Sequence, residues 1–232
     1  MTLILGRPMV VMVTDRRRLA EGDVEQCERV IDVAARAARA GVDLIQIREP
    51  DLPDRALERL VRGAVGASAA TAARIVVNDR TDVALAAGAG GVHLPAASAA
   101  ARRVRSMVPP GFVIGRSVHS TADAVAADDE EACDYLLFGT VFPTRSKPPG
   151  HPVAGLDALR RVCQSVRIPV VAIGGITRER LADVAAAGAA GIAAIGMFAD
   201  AAGTTRADDG LDRIVQEVRR AFDRRSGCLA GC

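Results

Sequence analysis

A chain of 232 residues carrying a formal charge of +2 has room for one well-buried domain and no electrostatic footprint for nucleic acid or an anionic membrane. Half of it is apolar, yet aromatics make up 3% and tryptophan is absent, so the core must be Ala, Val, Leu and Ile, with no platform for stacking bases. The five cysteines (Cys27, Cys133, Cys163, Cys228, Cys232) are scattered, without Cys-x-x-Cys or zinc spacing, which points to reduced thiols in a cytoplasmic protein.

The N-terminal stretch 1–5 is apolar but has neither a charged leader region nor a cleavage site, and no apolar run is long enough to span a bilayer. Short β-branched runs then alternate with Ala/Arg/Glu-rich amphipathic stretches. Strands are expected at 10–14, 43–48, 74–78, 91–94, 112–118, 135–139, 169–173 and 191–195. Helices are expected at 23–40, 54–65, 81–87, near 100–107, from Thr121, and at 156–166, 177–187 and 211–224. Thr121 and Thr177 stand where N-caps belong, and Gly41, Gly88 and Gly188 follow helices they would end.

Short connections and strict alternation imply right-handed crossovers and a parallel sheet, and about eight such units in this length match a single α/β (β/α)8 TIM barrel. A doubly wound open sheet is the alternative, but no Gly-x-Gly-x-x-Gly follows the first strand. The expected domain is 1–225, with a loose tail at 226–232 and no second domain. Ala-rich outer helices permit a homodimer.

In such a barrel the strand C-termini face one mouth, and the side chains there are unusually polar. Asp15 ends the first strand, and Gln46, Arg48 and Glu49 the second, with Gln46 and Arg48 on one side because strand side chains alternate. Asn78, Asp79 and Arg80 end the third, His93 the fourth, and Arg116, Ser117 and His119 the fifth. Gly174-Gly175 and Gly196 leave bare backbone after the last two strands, which suits a phosphate monoester; a tight turn without a ligand is the plainer alternative.

The loop after the sixth strand gathers Thr140, Thr144 and Ser146 beside Lys147, the one lysine in the chain. A compact ammonium among so many guanidinium groups suits phosphate or pyrophosphate, or it is simply a surface residue. The Pro/Gly run at 148–152 would let this loop act as a lid. Asp79 offers a hard oxygen to Mg²⁺-bound pyrophosphate, with an N-cap or a pair with Arg80 as the alternative. His93 reads as a satisfied inward-facing histidine, His119 as a base or a helix cap, and His151 as solvated.

The segments Gln46-Ile47-Arg48-Glu49, Val77-Asn78-Asp79-Arg80, Gly91-Val92-His93-Leu94, Gly115-Arg116-Ser117-Val118-His119-Ser120, 138–147 and Ala172-Ile173-Gly174-Gly175-Ile176 resemble the thiamine phosphate synthase/TenI family of TIM barrels. The resemblance implies transfer of a pyrimidine methyl group from its diphosphate to a thiazole phosphate, with release of pyrophosphate. It implies that Arg48, Asn78 and Lys147 hold pyrophosphate and that Asp79 ligates Mg²⁺. Gln46, Ser117, Thr144 and Ser146 would position the pyrimidine and pyrophosphate, while Gly175 and Gly196 would take the thiazole phosphate.

Three positions depart from the family pattern. Pro50 replaces a lysine, Ser98 stands where a second Mg²⁺ carboxylate is expected, and Thr140 replaces the histidine of the tautomerase type. The alternatives are therefore a TenI-like thiazole tautomerase, with His119 as its remaining base, and a non-catalytic thiazole-phosphate-binding protein.

Overall fold

Parallel strands covered on both faces need short, apolar, β-branched runs, and eight of them close here into one barrel. The computed structural model describes residues 7–148, 150–202 and 207–223. The stretch 1–5, Arg224, Cys228, Cys232 and the expected tail lie outside the described residues. Strands β1 (Met9–Val13), β2 (Leu44–Ile47), β3 (Arg74–Asn78), β4 (Gly91–Leu94), β5 (Val113–Val118), β6 (Tyr135–Phe138), β7 (Val170–Ile173) and β8 (Gly191–Ala194) pair in sequence order, all parallel, and β8 returns to β1.

Around them run α1 (Asp23–Arg39), α2 (Asp54–Ser68), α3 (Thr81–Ala86), α4 (Ala101–Arg105), α5 (Thr121–Asp129), α6 (Gly155–Ser165) and α7 (Leu181–Ala186), and α8 (Gly196–Ala202) and α9 (Ala207–Asp223) follow β8. Helix α1 shows why these stretches dock. Val30, Val33, Ala34, Ala37 and Ala38 fall on one stripe and are buried, each such aliphatic contributing about 1–3 kcal/mol by leaving water. No helix among the described residues is long and apolar enough to cross a membrane.

Alternation along the strands makes two cores. Met9, Val11, Val13, Leu44, Val76, Val113, Tyr135, Leu137, Val171 and Ala193 fill the barrel interior, while the intervening residues pack outward against the helices. Tyr135 is the largest interior side chain. It fits because its neighbour across the β5–β6 register is Gly115, where a Cβ would come 2.1 Å from the tyrosine Cζ.

Several local expectations are corrected. Ser120, not Thr121, caps α5, its hydroxyl accepting from the Asp123 amide at 3.1 Å. Thr177 makes no side-chain cap, and the chain enters α7 through a 3-10 turn at Arg178–Arg180. Helix α8 was not anticipated because seven residues are too few to show a helical period. Helix α9 starts at Ala207 rather than at 211, since Gly210 lies within its first turn and masks the pattern. Gly41, Gly88 and Gly188 do follow α1, α3 and α7 in the left-handed region.

Candidate active site

At the carboxyl ends of the strands the mouth opens into a cavity of about 850 Å³. Arg48, Lys147, Ser117, His119, Gln46, Asn78, Thr144, Ser146, Gly175 and Gly196 all line it. Asp79 does not; it lies beside the cavity, next in sequence to Asn78.

The floor is set by strand register. Gln46 and Asn78 come from adjacent strands, and the Gln46 Nε2 donates to Asn78 Oδ1 at 3.0 Å. That bond leaves the amide N–H groups of Asn78 free for a ligand. Gln46 itself is 2% exposed, and its Oε1 has no partner among the described residues. It is an unused acceptor at the bottom of the site.

His93 is fully buried between Tyr135 and Ser117, with Nδ1 3.1 Å from the tyrosine Oη and Nε2 2.8 Å from the serine Oγ. Burial, followed by the nearby charges of Arg116 and Arg48, holds its pKa down to about 3. His119 stands at the rim, exposed, with Nδ1 2.6 Å from the Gly139 carbonyl. Because that carbonyl only accepts, Nδ1 carries the hydrogen and Nε2 keeps its lone pair when the ring is neutral. It is not the cap of α5; Ser120 is.

Arg48 and Lys147 are exposed and form no ion pair among the described residues, so both charges are free to meet an anion. The segment that carries Arg48 is held from below. The Thr14 hydroxyl donates to Glu49 Oε1 at 2.6 Å and accepts from the Arg48 amide at 3.0 Å, and the Arg16 guanidinium closes on Asp51 at 2.6 and 2.7 Å. Glu49 therefore does not belong to the ring at the mouth. It is buried under it, and desolvation raises its pKa against the opposing bonds from Thr14 and Arg16. Arg116 also leaves the ring, its guanidinium donating to the carbonyls of Ala99 and Ala96.

Opposite in sequence lies the bare-backbone sector. Gly174 and Gly175 take positive φ of 101° and 62°, and a Cβ on Gly175 would sit 2.4 Å from the Pro143 carbonyl oxygen. Only glycine lets the two loops approach so closely. Arg180 fastens them, donating to the Gly175 carbonyl at 2.6 Å and covering the Phe142 ring at 4.4 Å. Gly196 opens α8, and its Cα faces Arg18, whose Nη1 would lie 2.9 Å from a Cβ there.

Asp79 takes a positive φ of 65°, a conformation its short side chain tolerates. Neither simple alternative for it holds: Arg80 pairs with Asp54 and Asp82, and no side chain caps α3. Its Oδ1 instead accepts from the Ser98 hydroxyl. Among the described residues no group of three or more His, Cys, Asp or Glu forms a metal cluster.

The cavity also contains cations that strand-end reasoning did not single out: Arg18, Arg145, Arg178 and Arg180. Arg18 stands just after β1, in the run Arg16-Arg17-Arg18. Arg145 sits within the 138–147 loop beside Lys147, whereas Arg178 and Arg180 extend from a 3-10 turn that strand periodicity does not mark.

The family model described as thiamine monophosphate synthase matches residues 10–198. A thiamine-phosphate synthase from Methanoculleus marisnigri is 45% identical over 184 residues, 79% of this chain and 87% of the relative. One from Roseiflexus castenholzii is 38% identical over 82% of this chain and 80% of its own length. In structure, a thiamine phosphate pyrophosphorylase from Pyrococcus furiosus superposes with a TM-score of 0.75 at 30% identity, covering 93% of this chain and 96% of that one. By sequence match and by shared barrel, the chain belongs to the thiamine monophosphate synthase/TenI family.

Proposed function

We propose that this protein is a thiamine phosphate synthase, joining a hydroxymethylpyrimidine diphosphate to a thiazole phosphate with release of pyrophosphate. The observation that carries it is the pairing of two anion sectors in one cavity: Arg48, Asn78 and Lys147 on the β2, β3 and β6 side, Gly175 and Gly196 after β7 and β8. The similarity to synthases over about four fifths of the chain supports it.

In this reaction the bond between the pyrimidine methylene carbon and the diphosphate oxygen breaks, and pyrophosphate leaves with the electron pair. The thiazole nitrogen then donates its lone pair to the electron-poor carbon, forming the new C–N bond. Little proton transfer is needed, so the protein acts by alignment and by stabilising the leaving anion. Lys147 and Arg48 receive the growing negative charge, and the Asn78 amide donates beside them. Thr144 and Ser146 place hydroxyls on the same loop as Lys147. Gln46 Oε1 accepts from a polar substituent on the pyrimidine, and the Gly175 and Gly196 backbone takes the thiazole phosphate.

Mg²⁺ fits this chain. It binds through one or two carboxylates plus substrate phosphates and water, and the Asp79 carboxylate with the Ser98 hydroxyl supplies such hard oxygens beside Asn78. When bound it would neutralise charge on the diphosphate. With Ser98 in place of a carboxylate, the site has one formal charge fewer and should need more Mg²⁺ to fill.

The His119 ring, with Nε2 free at the rim, favours a second reading as a thiazole tautomerase moving a proton without metal. A coupled assay with both synthase substrates decides between them. Mg²⁺-dependent thiamine phosphate that disappears with EDTA is expected; metal-independent proton exchange on the thiazole, with no condensation, would overturn the synthase assignment. Phosphate-ligand binding without either turnover would leave a binding protein.

A further inference from the structure

We infer that Tyr135 is a positioning residue: through His93 it sets the hydroxyl of Ser117 as a hydrogen-bond donor to the ligand. Tyr135 is fully buried, and its Oη has one side-chain partner among the described residues, His93 Nδ1 at 3.1 Å. His93 is fully buried as well and faces no carboxylate at either nitrogen, so its ring is neutral and carries one hydrogen.

If that hydrogen sat on Nδ1, the phenolic proton of Tyr135 would have no acceptor and would be orphaned in the barrel interior. An orphaned buried donor is disfavoured by about tenfold or more. The tyrosine therefore donates to Nδ1, and the imidazole hydrogen sits on Nε2 and points at Ser117 Oγ, 2.8 Å away. A hydroxyl that accepts from the protein has its own proton left to give. No other side-chain partner for Ser117 Oγ exists among the described residues, and Ser117 lines the cavity.

The serine proton is consequently available to an acceptor atom of the ligand, a phosphate oxygen or a ring nitrogen. The device depends on the packing already described. The tyrosine ring reaches His93 only because Gly115 lacks a Cβ.

The chain has three histidines, so the tautomer can be observed directly. Long-range ¹H–¹⁵N spectra of ¹⁵N-histidine-labelled protein, assigned with His119→Gln and His151→Gln, should show His93 neutral with Nε2 protonated. In Tyr135→Phe, which keeps the ring but removes the hydroxyl, the Nδ1-protonated form should become detectable. A wild-type spectrum with Nδ1 protonated, or a Tyr135→Phe spectrum identical to wild type, overturns the inference without reference to activity.

A kinetic arm rests on the synthase reading. Tyr135→Phe should lower kcat about fivefold, the order of one misdirected hydrogen bond, and should cost nothing further in a Ser117→Ala background. An equal loss in both backgrounds would mark Tyr135 as merely structural. Absence of condensation by the wild type would count against the synthase alone, with the tautomer still deciding this point.

Discussion

The Ser98 hydroxyl donates to Oδ1 of Asp79, joining the loop after β4 to the end of β3. A neutral group thus touches the carboxylate proposed to hold Mg²⁺, at the position where the family resemblance implies a second. Ser98→Asp should convert the contact into a pair of carboxylates. We expect Mg²⁺ to bind about tenfold more tightly in the presence of pyrophosphate, and the rate to saturate at lower Mg²⁺. Without metal the like charges repel, so the variant should melt earlier in EDTA than wild type. Calorimetric titration and melting curves with and without Mg²⁺ check both. Asp79→Asn should remove most of the metal response.

Lys147 is exposed and free of ion pairs among the described residues, so its replacement should report on function more than on folding. Lys147→Ala is expected to lower kcat/KM by about two orders of magnitude, the scale of one charge stabiliser at a leaving anion. Lys147→Arg should recover only part of this, because a planar fork does not replace a compact ammonium. Unchanged melting temperatures with these kinetics would separate the effect from instability.

Gly175 pairs a φ of 62° with a Cβ position 2.4 Å from the Pro143 carbonyl oxygen. Gly175→Ala must push the β6 and β7 loops apart, at a cost of about 1–3 kcal/mol. The KM for the thiazole phosphate should rise about tenfold, while that for the pyrimidine diphosphate moves little. Equal changes in both would argue that the two anion sectors are not distinct.

Asp128 lies far from the mouth and tests the barrel frame. Its burial opposes ionisation, but the amides of Arg167 and Ile168, at 3.3 and 3.0 Å, and the Arg167 guanidinium hold its carboxyl below the usual range. A folded pKa lower than the unfolded one contributes stability that is complete above the unfolded value and lost as pH falls through the folded one. Asp128→Asn should therefore cost about 1–2 kcal/mol at pH 7. The gap should close below about pH 4, as read by denaturant midpoints across that window.

Much of this molecule was legible in its residues taken in order. Alternation of β-branched runs with amphipathic stretches fixes strand and helix, and period-two alternation puts Gln46 and Arg48 on one side. The polar strand ends then locate the mouth, and Lys147 stands out by its chemistry alone. These are local properties, carried by a few consecutive side chains. What only the tertiary structure decided is where side chains go once the strand has ended. Glu49 turns down to Thr14 and Arg16, Arg116 ties loop carbonyls, Arg18 crosses to Gly196, and Asp79 meets Ser98. Tyr135, His93 and Ser117 become one chain of hydrogen bonds because barrel closure sets three strands in register. Such contacts join positions tens of residues apart, and their geometry depends on loop paths and on the space left by glycines, which no local period records.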